Sequence, residues 1–306
     1  MIENSTGSGF AAISVILPAY NAANTIERAL SSIIAQTLKP REVIVIDDGS
    51  IDDTFNMVSN YLGKMGEIEL KVIRQNNSGA GPSRNKAISE SKFEIIAFLD
   101  SDDEWLPEKL EKSMYYLNSG SYVLVAHNGW IVKDEKEFYL DIASRFKAAK
   151  DKLFQGLYRR GFISTSSVVV LRKAVMNAGG FDNNLRSGQD FDLWLKILGD
   201  LGVNWLVFEE PLSRYHIMDN SITSYTKRRL ENTLAIAIRH IPTLHNHPGS
   251  PICSLWFRLA VIHAEAMKAF ISSQKYLAVI QTTMLFVARL IWVTLLNWQM
   301  VFRVKK

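Results

Sequence analysis

The chain has 306 residues, of which 47% are hydrophobic and 22% charged, so a sizeable core is possible. Its one cysteine, Cys253, excludes an intrachain disulfide and fits a reducing compartment. The formal net charge of +4 hides an acidic body and a basic tail, because residues 227–306 hold 11 Lys and Arg against two acids. The tail charge suggests an anionic partner, either a membrane surface or a nucleic acid.

Strand-like and helical segments alternate over the first 120 residues. The predicted strands span 13–20, 42–47, 69–74 and 94–100, and predicted helices begin at Asn24, Ser50, Ser83 and Pro107. Asn24 with Glu27, and Ser50 with Asp53, have the spacing of helix N-terminal capping pairs. The alternation predicts a doubly wound α/β fold with a mostly parallel sheet.

Acidic residues follow several of the predicted strands. The carboxyl ends of parallel strands share one edge of the sheet, and ligands of such sheets bind beyond that edge. Tyr20, Asp48 and the cluster from Asp100 to Glu104 all come after strand ends. Crowded carboxylates need a counter-charge, and oxygen ligands suit Mg²⁺ or Mn²⁺ held together with substrate phosphates. The pattern therefore favours a nucleotide diphosphate, with a solvated acidic turn as the alternative, chiefly for Asp103 and Glu104.

Two common nucleotide-binding motifs are missing from the sequence. The segment PAYNAAN, rather than a glycine-rich loop, follows the first predicted strand. The glycine-containing stretch NNSGAGPSRN follows the third predicted strand and does not match G-x-G-x-x-G, and no Walker-type motif is present. The phosphates are therefore expected to be held by the acidic cluster and its cation.

Six motifs, in this order and spacing, resemble the pattern of glycosyltransferase family 2 over about residues 13–223. They are ILPAYN, VIDDGSIDDT, NSGAGPSRNKAI, FLDSDDEWLP, GGFDNN and GQDFDLWLKI. Each motif is weak alone, and the set is specific. The resemblance implies a GT-A fold, a nucleotide-sugar donor, a divalent metal ion and inversion at the anomeric carbon.

The resemblance also implies roles for individual residues. Tyr20 is expected to stack on the donor base, or else to be a buried structural tyrosine. Asp48 is expected to accept a hydrogen bond from the base N3–H, which favours uracil or thymine, or else to form a helix-start turn. Arg84 is expected to support the nucleotide or diphosphate, or else to be a solvated helix arginine. The expected donor-binding residues are Pro18, Tyr20, Asp48, Arg84, Asp100 and Ser101.

The metal and the catalytic base come from the later motifs. By the resemblance, Asp102 binds the metal ion, Asp103 competes for it, and His216 closes over the diphosphate or metal. Asp190 matches the catalytic base, with a helix cap as its alternative and Asp192 as a weaker alternative base. Position 189 is commonly glutamate in the family and is glutamine here, which affects acceptor contacts rather than the base. Residues 164–166 were candidates for lining the acceptor side.

The chain is expected to comprise a flexible N-terminus (1–12), a catalytic domain (13–226) and a basic amphipathic helical extension (227–306). Apolar residues recur at threes and fours from Leu277 to Phe302, a stretch long enough to span a bilayer. Arg289 lies at its midpoint, where an arginine costs about 2.5 to 3.5 kcal/mol in a spanning helix. A location in the membrane interface is therefore favoured, with packing on the body or self-association as alternatives. Nucleic acid is disfavoured, because the basic residues alternate with long aliphatic ones.

The sequence therefore predicts an inverting, metal-dependent glycosyltransferase. Its donor is expected to be a UDP-sugar and its acceptor a glycan or polyprenyl-linked saccharide. Because the N-terminus lacks a secretory signal pattern, the expected place is the cytoplasm, at the inner face of the cytoplasmic membrane. The alternatives are a nucleotidyltransferase, which would need basic residues near PAYNAAN, and a non-catalytic sugar-nucleotide binding module, which would not need an acid at position 190.

Overall fold

The computed structural model describes residues 9–217 and 226–304, without the side chains of residues 150 and 300–304. The chain divides into two compact units, each built from separate stretches of sequence. Unit 1 comprises Met1–Ser144, Ile163–Asn184 and Gly202–Met218, and unit 2 comprises Arg145–Phe162, Leu185–Leu201 and Asp219–Lys306. The boundaries at 12/13 and 226/227 stay predictions, and most of the expected flexible N-terminus lies outside the described residues.

All the strands in the described residues belong to unit 1. They are β1 (Phe10–Ala19), β2 (Lys39–Asp47), β3 (Glu69–Arg74), β4 (Ile95–Phe98), β5 (Glu104–Trp105), β6 (Tyr122–His127), β7 (Gly129–Lys133), β8 (Lys136–Leu140), β9 (Val169–Leu171), β10 (Asn204–Phe208) and β11 (Ser213–His216).

The described α-helices number α1 to α12 in chain order. Those of unit 1 are α1 (Ile26–Ile34), α2 (Thr54–Ser59), α3 (Ala80–Glu90), α4 (Lys109–Ser119) and α7 (Arg172–Asn177), while α5 (Ala143–Ala149) crosses the division. Those of unit 2 are α6 (Leu153–Arg160), α8 (Gln189–Leu198), α9 (Thr226–Arg239), α10 (Ile241–Asn246), α11 (Pro251–Ser272) and α12 (Tyr276–Val304). Two short 3₁₀ helices span Lys150–Lys152 and Thr165–Ser167.

A mostly parallel seven-stranded sheet forms the centre of unit 1. Its strand order is β10-β6-β9-β4-β1-β2-β3, and β9 alone among these strands runs antiparallel to its neighbours. A second sheet has the order β5-β11-β7-β8. The predicted doubly wound α/β architecture is confirmed, and this is the GT-A arrangement.

Continuous apolar runs explain the central strands. Residues 13–19 of β1 are all buried, as expected of a strand covered on both faces. Ile26, Leu30 and Ile33 of α1 are buried as well, and each such side chain stabilises the fold by about 1.5 to 3 kcal/mol relative to an exposed one.

The predicted helix starts near the first two strands are wrong by a few residues. Helix α1 begins at Ile26 rather than Asn24, and α2 begins at Thr54 rather than Ser50, without a side-chain cap on either helix. The Ser50 hydroxyl instead accepts a hydrogen bond from the backbone N–H of Asn21 at 3.0 Å. The polar residues of this loop therefore connect the ends of β1 and β2, and that long-range pairing outcompetes the local capping pattern.

Candidate active site

Three neighbouring strands end side by side, and the expected donor residues follow them. Strand β1 pairs in parallel with β2 on one side and β4 on the other. Tyr20 directly follows β1, Asp48 directly follows β2, and Asp100 comes two residues after β4. The Asp48 backbone N–H donates to the Ala19 carbonyl at 2.8 Å, which fixes two of these ends together. The predicted convergence at one sheet edge is therefore present.

Tyr20 and Pro18 differ in what they present at this edge. Tyr20 is 51% exposed, so it is not the buried structural tyrosine that the sequence left open, and its ring is free to stack on a planar ligand. Pro18 is buried within β1 opposite Ile46, so its ring shapes the strand end. Ser101 is partly exposed in the turn after β4.

The Asp48 carboxylate is held by the segment that follows β3. Its Oδ1 atom accepts hydrogen bonds from Gln75 Nε2 at 2.8 Å and from the Ser78 backbone N–H at 2.9 Å. Its Oδ2 atom accepts one from the Gly79 N–H at 2.7 Å. Oδ1 also accepts from the Ser78 hydroxyl at 3.1 Å, whereas Oδ2 accepts from the Gly79 N–H alone among the described residues. A carboxylate oxygen has about two acceptor positions, so Oδ2 can accept a further donor such as a base N3–H. Asp48 is thus a fixed acceptor at the sheet edge rather than a helix cap.

Arg84 is a buried partner of Asp100. Its Nη2 atom lies 2.5 Å from Asp100 Oδ1, and its guanidinium lies 5.3 Å from the centre of the Phe181 ring. The Arg84 Nε atom is buried and has no hydrogen-bond partner in the described part of the chain. The solvated helix arginine that the sequence allowed is therefore wrong, and the charge of Arg84 offsets that of Asp100.

The remaining acids of the cluster differ in burial: Asp102 and Glu104 are partly exposed, whereas Asp103 is buried. Burial, and then the charge of Asp100, raise the pKa of Asp102. The Asp103 carboxyl is buried, and burial together with Asp102 and Asp100 raises its pKa well above the usual value. Arg28 Nη2 donates to the Asp102 backbone carbonyl at 2.5 Å and holds the turn. Asp102 is partly exposed and Asp103 is buried, so Asp102 is the acid of this turn that a cation can reach.

Asp103 joins three segments of unit 1. Its Oδ2 atom accepts a hydrogen bond from the Ser166 hydroxyl at 2.5 Å, and the His216 backbone N–H also donates to its carboxylate. The same Ser166 hydroxyl accepts from the Asp100 N–H at 3.1 Å, and its backbone carbonyl accepts from Trp105 Nε1 at 2.8 Å. Asp103 and Ser166 thus brace the acidic turn, and these hydrogen bonds favour a structural role for both. Asp103 as a metal ligand and Ser166 as an acceptor-lining residue stay predictions.

No complete metal site is preformed in the parts of the chain that the structure describes, since no three His, Cys, Asp or Glu residues group to hold an ion. Two features nevertheless fit a cation. The crowded Asp102 carboxyl is one, and the other is His216 Nε2, a buried atom 3.5 Å from Glu104 Oε1 that has no hydrogen-bond partner among the described residues. Burial is the main factor that lowers the pKa of His216, which favours the neutral, ligating imidazole. These groups suit a divalent ion whose coordination is completed by substrate phosphates.

In unit 2, Asp190 lies half-buried in the first turn of α8, where the helix dipole favours an acid. The helix follows Gly188, whose φ of +71° favours glycine. Gln189 is buried, and its Nε2 atom donates to the Leu185 carbonyl at 2.5 Å. An ionised glutamate could not donate this hydrogen bond, so glutamine at position 189 serves to bind the Leu185 carbonyl.

Asp192 is part of a buried ion cluster in unit 2. Its side chain is 1% exposed and lies 2.8 Å from Lys196 Nζ and 2.9 Å from both Arg239 Nη1 and His240 Nε2. Burial acts to raise its pKa, but the hydrogen bonds from His240 and Lys196 outweigh burial and lower it to about 2. An acid with this pKa and these partners is a poor proton acceptor, so the alternative base is disfavoured and Asp190 is kept.

Comparison with known proteins identifies the class. The fold is the GT-A arrangement, and the profile of glycosyl transferase family 2 matches residues 14–178, more than half of the chain. The chain therefore belongs to glycosyltransferase family 2, and the nucleotidyltransferase alternative falls away.

Two relatives and one solved structure illustrate the match. The putative teichuronic acid biosynthesis glycosyltransferase TuaG of Bacillus subtilis is 31% identical over 76% of this chain and 89% of its own length. The Escherichia coli UDP-Glc:alpha-D-GlcNAc-diphosphoundecaprenol beta-1,3-glucosyltransferase WfgD is 29% identical over 82% of this chain and 92% of its own. The mannosyltransferase PcManGT from Pyrobaculum calidifontis, in complex with GDP-Man and Mn²⁺, has a TM-score of 0.60 at 20% identity, covering 94% of this chain and 87% of that one.

Proposed function

We propose that this glycosyltransferase transfers a sugar from a UDP-sugar to a hydroxyl of a glycan or lipid-linked glycan, with inversion at the anomeric carbon. The observation that carries the proposal is the convergence of Tyr20, Asp48 and Asp100 at one edge of a parallel sheet, with Arg84 paired to Asp100. The name of WfgD gives a UDP-sugar donor and a polyprenyl-linked acceptor, which supports the same classes here.

The donor base would be recognised by stacking and by one hydrogen bond. The exposed ring of Tyr20 supplies a flat apolar surface, and the fixed Asp48 carboxylate accepts from an N–H donor. Uracil and thymine offer such a donor at N3. Guanine also has ring and amino N–H groups that could donate to Asp48. A comparison of UDP binding with GDP binding therefore tests the expected preference for uracil.

The diphosphate would be bound beside the acidic turn. Asp102 and His216 would hold a Mn²⁺ or Mg²⁺ ion together with phosphate oxygens, while Asp103 stays a brace. A bound ion would neutralise the charge that grows on the departing diphosphate. Arg84, fixed by Asp100, adds positive charge to the same region.

Asp190 would act as the general base of a single displacement. It would take the proton of the acceptor hydroxyl as that oxygen forms a bond to the anomeric carbon and the bond to the diphosphate oxygen breaks. General base catalysis of this kind is typically worth about 10²- to 10⁴-fold in rate. No covalent intermediate forms, so the configuration inverts.

The experiment compares three purified full-length proteins with UDP-sugars and a polyprenyl diphosphate-linked acceptor. We expect Asp190→Asn to lower the transfer rate at least about 100-fold while leaving UDP affinity unchanged. Asp200→Asn, the same charge change at an exposed site of unit 2, is the matched control and should retain the wild-type rate. Wild-type transfer by Asp190→Asn would reject the base assignment, and no transfer from any UDP-sugar would reject the donor class.

The same acceptor class would place the protein at the cytoplasmic face of the membrane. Among the described residues, one helical segment, Tyr276–Gln299, is long and apolar enough to cross a bilayer, with a mean hydropathy of 1.8. Length and composition alone are weak evidence, since core helices pass the same test.

A further inference from the structure

Helix α12 directs several of its polar residues toward the other helices of unit 2. Asn297 Oδ1 lies 3.0 Å from His245 Nε2 of α10. Thr294 Oγ1 accepts a hydrogen bond from Trp256 Nε1 of α11 at 2.9 Å. Both bonds lie in the C-terminal half of α12, so polar contacts attach that part of the helix to its own unit.

Arg289 also belongs to this inward face. Its Nη2 atom lies 2.5 Å from Glu231 Oε1 of α9, its Nη1 atom lies 3.3 Å from His263 Nε2 of α11, and its side chain is only 13% exposed. From the sequence, an arginine at the midpoint of a bilayer-spanning helix is expected to cost about 2.5 to 3.5 kcal/mol. In the structure its charge is paired within the unit, so it leaves no charge on the outward face.

The outward face of α12 is mostly apolar and exposed, with Gln281 and Gln299 as exposed polar residues among those described. Leu277 and Met284 are each 70% exposed. The exposed large apolar side chains are Tyr276, Leu277, Ile280, Met284, Leu285, Val287, Ile291, Trp292, Leu295 and Trp298. At 100° per residue they cover about half of the helix circumference. A surface helix in water has the opposite arrangement, with apolar residues inward and polar residues outward.

We propose that this outward face of α12 is a membrane-docking surface, which lies in the interfacial layer of an anionic bilayer with the helix axis parallel to the membrane. The proposal deepens the proposed location of the transferase and does not depend on its activity. The charge of the tail supports this occupant, with 11 Lys and Arg against two acids in residues 227–306.

Two alternatives to interfacial docking fit the structure less well: contact with a second copy of the chain, and a bilayer-spanning α12. A second copy of the chain would cover the narrow seam of a two-helix contact, whereas the apolar face spans about half the circumference. Spanning the bilayer would draw the polar partners of the inner face, Glu231 and His245 among them, into hydrocarbon, where such groups are costly. A helix lying flat leaves those partners outside the apolar layer.

The test is flotation of the full-length protein with vesicles of phosphatidylglycerol and phosphatidylcholine, or of phosphatidylcholine alone. The variant Ile280→Glu/Ile291→Glu places two charges on the outward face. Met176→Glu/Leu201→Glu makes the same change at two apolar residues exposed elsewhere, at 51% and 68%, and is the matched control. The oligomeric state of each protein is measured in parallel by analytical ultracentrifugation without detergent.

We expect the wild type and the control to float with the anionic vesicles, and the α12 variant to bind at least about tenfold more weakly. Binding to neutral vesicles should be weaker than to anionic ones. Failure of the wild type to float would overturn the proposal. So would a wild-type dimer that the α12 substitutions convert to monomer while vesicle binding is unchanged, because a second copy would then be the occupant.

Discussion

The buried ion cluster around Asp192 gives a stability prediction that separates this acid from its neighbour Asp190. The folded-state pKa of about 2, against 3.8 for the free side chain, corresponds to roughly 2 kcal/mol of stabilisation at neutral pH. The side chains of Arg239 and Lys196 are 41% and 27% exposed, and solvent screening there reduces this to about 1 to 2 kcal/mol. We therefore expect Asp192→Asn to lower the free energy of unfolding by that amount.

The pH dependence follows from the direction of the shift. Because the pKa of Asp192 is lower in the folded protein, its stabilisation is complete above the unfolded value near 4 and is lost as the pH falls toward 2. The difference in unfolding free energy between wild type and Asp192→Asn should thus narrow by roughly half between pH 7 and pH 3.

The assay is urea unfolding followed by a probe in unit 2, with Asp190→Asn as the control for the same charge change on the same helix. The control should lose less stability than Asp192→Asn, because Asp190 is half-buried whereas the Asp192 side chain is only 1% exposed. Equal stability of the two variants at pH 7, or a difference that does not change with pH, would refute this reasoning.

Three further predictions concern the sheet edge and the tail. Ser166→Ala removes the hydrogen bonds to Asp103 and Asp100, and should lower the unfolding free energy by about 1 to 3 kcal/mol in urea titrations, more than Ser164→Ala. Asp48→Asn should weaken UDP binding at least about tenfold by calorimetry and reduce any preference for UDP over GDP. Glu231→Gln leaves Arg289 with a neutral partner and should lower the unfolding free energy by about 1 kcal/mol, an effect that salt reduces.

Hydrophobic pattern accounted for much of unit 1. The strand 69–74 has the predicted bounds, and β1, β2 and β4 lie within or near theirs, because buried parallel strands are apolar throughout. The convergence of Tyr20, Asp48 and Asp100 followed from parallel topology alone. Capping pairs failed at Asn24 and Ser50. The side chains of Ser50, Asp52 and Thr54 accept from the backbone N–H groups of residues 21–23, long-range bonds that a local pattern does not contain.

Other features had no signal in the sequence. Ser166 and Asp103 are 63 positions apart, and nothing in either segment indicates that they are bonded. The burial of Arg289 likewise depends on Glu231, 58 positions away, so composition and periodicity could not show which face of α12 is outward. Pairings of this kind are set by tertiary packing.

The interpretation of the acidic cluster depends on Asp102 binding a cation that also contacts the donor diphosphate. The most direct test is calorimetric titration of UDP into wild type and Asp102→Asn, each with and without Mn²⁺, with Asp134→Asn in the exposed β7–β8 turn as control. We expect Mn²⁺ to strengthen UDP binding at least about tenfold in wild type and control but not in Asp102→Asn. UDP affinity that Mn²⁺ leaves unchanged in the wild type, or an equal gain in Asp102→Asn, would contradict the account.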